Sequence, residues 1–178
     1  MKKNRDKAFS VKRIATNAVL IAIYIAISML AFNMGPFKLT FEAFPVIVCA
    51  VIFGPVDAML VGGIAELINQ LFTFGVTPTT ILWILPILIR GFMIGIFSKV
   101  WKKKNTVVFL VICIVTAVVH SLLNTLALYV DSKMFGYYTE ALVFGALFVR
   151  VLASVITATI MAIATKVVVQ ALKKSNLI

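Results

Sequence analysis

Acidic side chains are scarce in this chain: its 178 residues hold six Asp and Glu against 17 Lys and Arg, a formal net charge of +11. Apart from Asp6, the acids are Glu42, Asp57, Glu66, Asp131 and Glu140. Cysteine is equally sparse. Cys49 and Cys113 stand alone in apolar segments without CxxC spacing, and His120 is the one histidine, so neither a disulfide framework nor a metal site is expected. The GxxxxGKS/T, GxSxG and HExxH patterns are all missing, which removes nucleotide hydrolysis by a phosphate loop and the common hydrolase chemistries. His120 and Ser121 are sequence neighbours, which diverge on a helix. An enzyme is disfavoured, no cofactor is expected, and any ATP-driven step needs partner subunits.

What is present is apolar. Hydrophobic residues make up 62% of the chain and charged residues 13%, with a mean hydropathy of +1.11, a balance of polytopic membrane proteins rather than of soluble domains. The basic excess would point to nucleic acid in a soluble protein. Here it falls in clusters that flank apolar segments: Lys2, Lys3, Arg5, Lys7, Lys12 and Arg13; Lys99 with Lys102 to Lys104; and Lys166, Lys173 and Lys174. The positive-inside rule puts all of these in the cytoplasm, so an even number of spans separates each neighbouring pair. No nucleic-acid partner is expected.

The apolar stretches 14–33, 43–54, 56–74, 79–98, 106–130 and 141–165 satisfy that count, with Gly54-Pro55 breaking the second from the third. The expected fold is an all-α bundle of six transmembrane helices with both termini cytoplasmic. Residues 1–12 form a basic tail and residues 13–178 a single membrane domain. The stretch 43–54 is short for a bilayer core of about 30 Å. The outer connections are 34–42, 75–79 and the polar, turn-prone stretch from Asp131 onward.

Two arginines, Arg90 and Arg150, fall deep within apolar stretches. A cation at that depth costs about 2.5 to 3.5 kcal/mol on insertion scales, so it faces a partner or a water-filled cavity. Glu66 is the one acid at comparable depth. One acid cannot neutralise both arginines, and a ligand carboxylate would supply the missing charge. A planar guanidinium clamps such a group through two parallel hydrogen bonds. The alternatives are Arg90 as counter-ion of Glu66, and Arg150 bound to an acidic side chain or to helix-end carbonyls.

Further polar residues extend the candidate site. Glu66, Asn69, Gln70 and Thr73 recur at helical spacing and form either a pocket wall or interhelical hydrogen bonds. Trp83 precedes Arg90 by nearly two turns, as a ring-stacking surface or an interfacial belt residue. His120 and Asn124 share a face; His120 is a core imidazole or a ligand contact, and the Asn124 carboxamide can serve a heterocycle edge as donor and acceptor. Tyr138 lies in the loop before the last span. Ala18, Ala22 and Ala26 make a smooth stripe on the first helix, for packing inside the bundle or for docking a membrane partner.

The segment LTFEAFPVIVCAVIFGPVDAMLVGGIAELIN, residues 39–69, resembles the second and third helices of substrate-binding S components of energy-coupling factor (ECF) vitamin transporters. LLNTLALY at 122–129 together with Arg150 looks like the fifth and sixth helices of folate-type members. The alanine stripe looks like their docking motif. The resemblance implies a bacterial plasma-membrane protein that binds a vitamin at its outer side with high affinity. Transport then requires a transmembrane coupling subunit (T component) and two cytoplasmic ATPases. Folate is the leading vitamin, with pantothenate or another vitamin as the runner-up and an autonomous secondary carrier as the competing class.

Overall fold

The computed structural model describes residues 11–34, 37–101 and 105–175. Much of the expected basic tail, residues 1–10, and Lys102 to Lys104 lie outside the described residues. Among those described there are six α-helices: α1 (Val11–Met29), α2 (Phe44–Ile52), α3 (Pro55–Phe74), α4 (Thr80–Trp101), α5 (Thr106–Phe135) and α6 (Leu147–Lys174). A short antiparallel ribbon, β1 (Phe32–Met34) and β2 (Phe37–Leu39), joins α1 to α2. One π-helical turn, Ala141–Gly145, precedes α6. The fold is therefore helical as expected, with the ribbon as a small addition.

Five helical segments are long and apolar enough to cross a membrane. The exception is α2. Its nine residues rise about 13 Å, less than half a bilayer core, and every residue from Pro45 to Ala50 is buried. The expected span at 43–54 is thus an internal plug held between α1, α3, α4 and α6. A proline starts it, and Gly54 at φ 96° turns the chain into Pro55 at the head of α3. The expected turn at Asp131 also moves, because α5 runs on to Phe135 before Gly136, at φ 78°, caps it. Asn105 opens α5 by accepting a hydrogen bond from the Val107 amide at 3.1 Å, a side-chain cap of the usual kind.

Glycines let α4 approach α3 closely. A Cβ on Gly95 would lie 2.3 Å from the Pro55 Cα, and one on Gly91 would lie 3.0 Å from the Ala58 backbone. Small residues are what permit such helix contacts in lipid, where apolar side chains gain little by leaving the hydrocarbon. This contact fixes the position of Arg90, the neighbour of Gly91.

Side-chain bonds show which helix ends meet. Arg13 at the start of α1 pairs with Asp57 at the start of α3: its Nε donates to Oδ1 at 2.7 Å and its Nη2 donates to Oδ2. The Asn17 amide donates to the same carboxylate at 2.8 Å. Near the end of α4, Ser98 Oγ lies 3.3 Å from the Ala50 carbonyl of α2. Lys166 on α6 donates to Thr106 Oγ1 at the start of α5, 2.8 Å away. Lys12, Arg13 and Lys166 therefore gather at one end of the bundle. The ribbon, the starts of α4 and α6 and the end of α5 make the other.

Candidate functional site

A cavity of about 420 Å³ lies toward the end opposite the basic residues, within the roughly 300–1,000 Å³ range of small-molecule sites. Glu42 comes from the segment before α2, Trp83 and Arg90 from α4, and His120, Ser121, Asn124 and Leu128 from α5. Leu142 of the π-turn and Arg150, Ser154, Thr157 and Met161 of α6 complete the wall. Apolar surface with a few placed polar groups is the composition of a site that takes an organic ligand.

Arg90 is the decisive member. It is 5% exposed, and its Nε and Nη2 have no hydrogen-bond partner. Leaving such donors unmet is costly, so buried polar atoms are rarely left in this state. Glu42 lies within electrostatic reach of Arg90 but does not bond to either atom. Pro86, inside α4, sits one turn before Arg90. His120 Nε2 and Asn124 Nδ2 are 3.0 Å apart, while His120 Nδ1 is buried without a hydrogen-bond partner.

Arg150 is placed differently. Its Nη2 donates to the Leu142 carbonyl at 2.6 Å and to the Val143 carbonyl at 3.2 Å. Both carbonyls belong to the π-turn, where i→i+5 geometry disturbs the regular ladder. Of the alternatives open for Arg150, binding to helix carbonyls is the one the structure contains.

At the mouth, Asp131 ties several elements together. Its Oδ1 accepts from Thr79 Oγ1 and, at 3.5 Å, from Trp83 Nε1, and its Oδ2 accepts from Tyr137 OH. Burial and the Asp131 carboxylate push the Tyr137 phenol up to about 12, so it stays protonated and keeps donating at any physiological pH.

The cavity thus collects Trp83, Arg90, His120, Asn124 and Arg150 from the expected site. Glu66, Asn69 and Gln70 do not line it. They face α1: Tyr24 OH donates to Glu66 Oε2 at 2.7 Å, Gln70 Nε2 to Glu66 Oε1 at 2.7 Å, and Ser28 Oγ to Asn69 Oδ1 at 3.1 Å. Glu66 is not a partner of the Arg90 Nε–Nη2 edge, since neither of those atoms has one; its oxygens accept from Tyr24, Asn69 and Gln70 instead. Tyr138 also lies off the cavity wall; it packs edge-on against Tyr129, with Lys133 Nζ 3.9 Å from its ring centre. Glu42, Ser154 and Thr157 were not among the expected contacts. Ser154 and Thr157 lie one and two turns beyond Arg150 on α6, a signal available in helical spacing. Glu42 gave no such periodic signal.

Residues 12–172 match the family described as ECF transporter, substrate-specific component. The chain belongs to that family. Its members are substrate-binding transport subunits rather than enzymes. Among solved structures, ThiT from Listeria monocytogenes superposes with a TM-score of 0.67 at 20% identity, over 87% of this chain and 93% of that one. FolT bound with folic acid superposes with a TM-score of 0.64 at 27% identity, over 88% and 93%. No curated protein matches the sequence.

Proposed function

We propose that this S component is the high-affinity binding subunit of an ATP-driven uptake transporter for an anionic vitamin, folate first and pantothenate second. The observation that carries the reading is the buried Arg90 with two unmet donors on the wall of a vitamin-sized cavity. A ligand carboxylate gives those donors an ionised acceptor, the strong form of the hydrogen bond. Trp83 supplies a ring face, and the His120–Asn124 pair can meet a heterocycle edge. Folate takes precedence through the likeness to FolT bound with folic acid.

By the positive-inside rule the end holding Lys12, Arg13 and Lys166 is cytoplasmic, which opens the cavity outward and puts both termini inside the cell. Ala18, Ala22 and Ala26 are exposed along α1. They form a smooth surface against which a helix of the coupling subunit packs, with two ATPases driving the assembly from the cytoplasm. The membrane is the plasma membrane of a bacterium.

The test is equilibrium binding by detergent-purified protein to folic acid, pantothenate and a panel of other acidic vitamins. One member binds saturably, and Arg90→Ala weakens it by about 100-fold or more, the scale for removing one partner of a buried charge pair. No saturable binding across the panel refutes the reading. Uptake by the reconstituted chain alone, driven by an ion gradient, supports the autonomous carrier instead.

A further inference from the structure

Resting on the reading of the cavity as a ligand site, we infer that its two arginines divide the work. Arg90 is the carboxylate anchor at the floor, and Arg150 is a positioning residue that pins the π-turn at the rim. The ligand then lies acid-inward, with its far end toward Trp83.

Arg13 uses its Nε and Nη2, the two donors on one edge of the guanidinium, to hold both oxygens of Asp57. Those same two atoms of Arg90 are the ones left without a partner. An edge of this shape matches two coplanar acceptors held as in a carboxylate, and a buried guanidinium with unmet donors favours an acceptor with formal charge. Arg150 does not offer the same opening, since its Nη2 is taken by the Leu142 and Val143 carbonyls. Its contribution to the cavity is to hold the turn that carries Ala141 and Leu142, both wall residues.

Depth sets the orientation. Arg90 is buried, whereas Trp83 is nearer the start of α4 and reaches Asp131 at the mouth. Seven residues of helix separate them by about 10 Å along the axis. The class of ligand is therefore an elongated acid whose far end, a ring in folate and a hydroxyl-bearing chain in pantothenate, stands about that far from its carboxylate. Both unmet atoms of Arg90 are shut off from solvent, so loading them displaces neighbouring side chains as the acid loses its water.

The probes are folic acid with its diamide, and pantothenate with its primary amide, bound to the full chain in detergent. Wild-type protein prefers the acid over the amide of whichever pair it binds by about 100-fold. Arg90→Gln brings that ratio close to one. Arg90→Lys keeps a charge without the fork and retains about a tenfold preference, which serves if the glutamine variant does not fold. Arg150→Gln keeps the wild-type ratio but accelerates association and release, as expected when the rim loosens. A ratio that collapses in Arg150→Gln and survives in Arg90→Gln overturns the assignment. Acid and amide binding equally well to wild type overturns it too, while leaving the cavity as a ligand site. Failure of both acids to bind overturns the inference, and failure of the whole vitamin panel removes the site reading as well.

Discussion

The two ends of this bundle treat buried charge in opposite ways. At the end that gathers the basic residues, Arg13, Asn17 and Asp57 satisfy one another across α1 and α3, and the Gly95 contact with Pro55 brings α3 and α4 together at the same level. Toward the other end, at the floor of the cavity, Arg90 is buried with two donors unmet. A helical framework with its polar groups paired is built to hold shape, whereas a buried cation with unmet donors beside a cavity is a candidate place for a group from outside the chain. On the proposed reading, the first end is a clamp and the second a receptacle.

Breaking the clamp should cost the most stability. Asp57→Ala removes the shared acceptor of Arg13 and Asn17, and because Asp57 is buried while Arg13 is partly exposed the loss is about 2 kcal/mol, between the scales of surface and buried pairs. It appears as a lower thermal midpoint in detergent. Ligand affinity in the surviving folded fraction stays within about threefold, since a purely local loss of this kind adds rather than couples at a distance. A large affinity loss without a stability loss would erase the contrast between the two ends.

A smaller effect sharpens the boundary between them. Glu66→Gln weakens the bonds to Tyr24 and Gln70 and lowers stability by about 1 kcal/mol, the usual size of an interhelical hydrogen bond in a membrane. Binding changes by less than about threefold. If Glu66→Gln instead abolishes binding while the fold survives, the α1–α3 network belongs to the receptacle.

Which parts were legible in the sequence follows from what periodicity can carry. Long apolar runs and basic flanks encode helix number and common ends, so five of the six expected spans and the gathering of Lys12, Arg13 and Lys166 were readable. The short α2 was not, because its composition is that of a span while its length is that of a plug. Helical spacing put Glu66, Asn69 and Gln70 on one face correctly, yet spacing does not say which neighbour that face meets, and it meets α1. Arg13 was read only as a topology marker, since its partner Asp57 lies 44 residues away and no local pattern joins them. Arg90 was found because the cost of a charge in lipid depends on depth, which the sequence does reveal.

The central claim is that the cavity completes Arg90 with an acidic small molecule. Native mass spectrometry of the intact chain, purified gently from cells supplied with folic acid and pantothenate, tests it most directly. The account predicts one acidic ligand retained at near one-to-one occupancy by the wild-type protein and lost from Arg90→Gln. A wild-type protein that carries no small molecule, or an Arg90→Gln protein that carries the same ligand at equal occupancy, would contradict it.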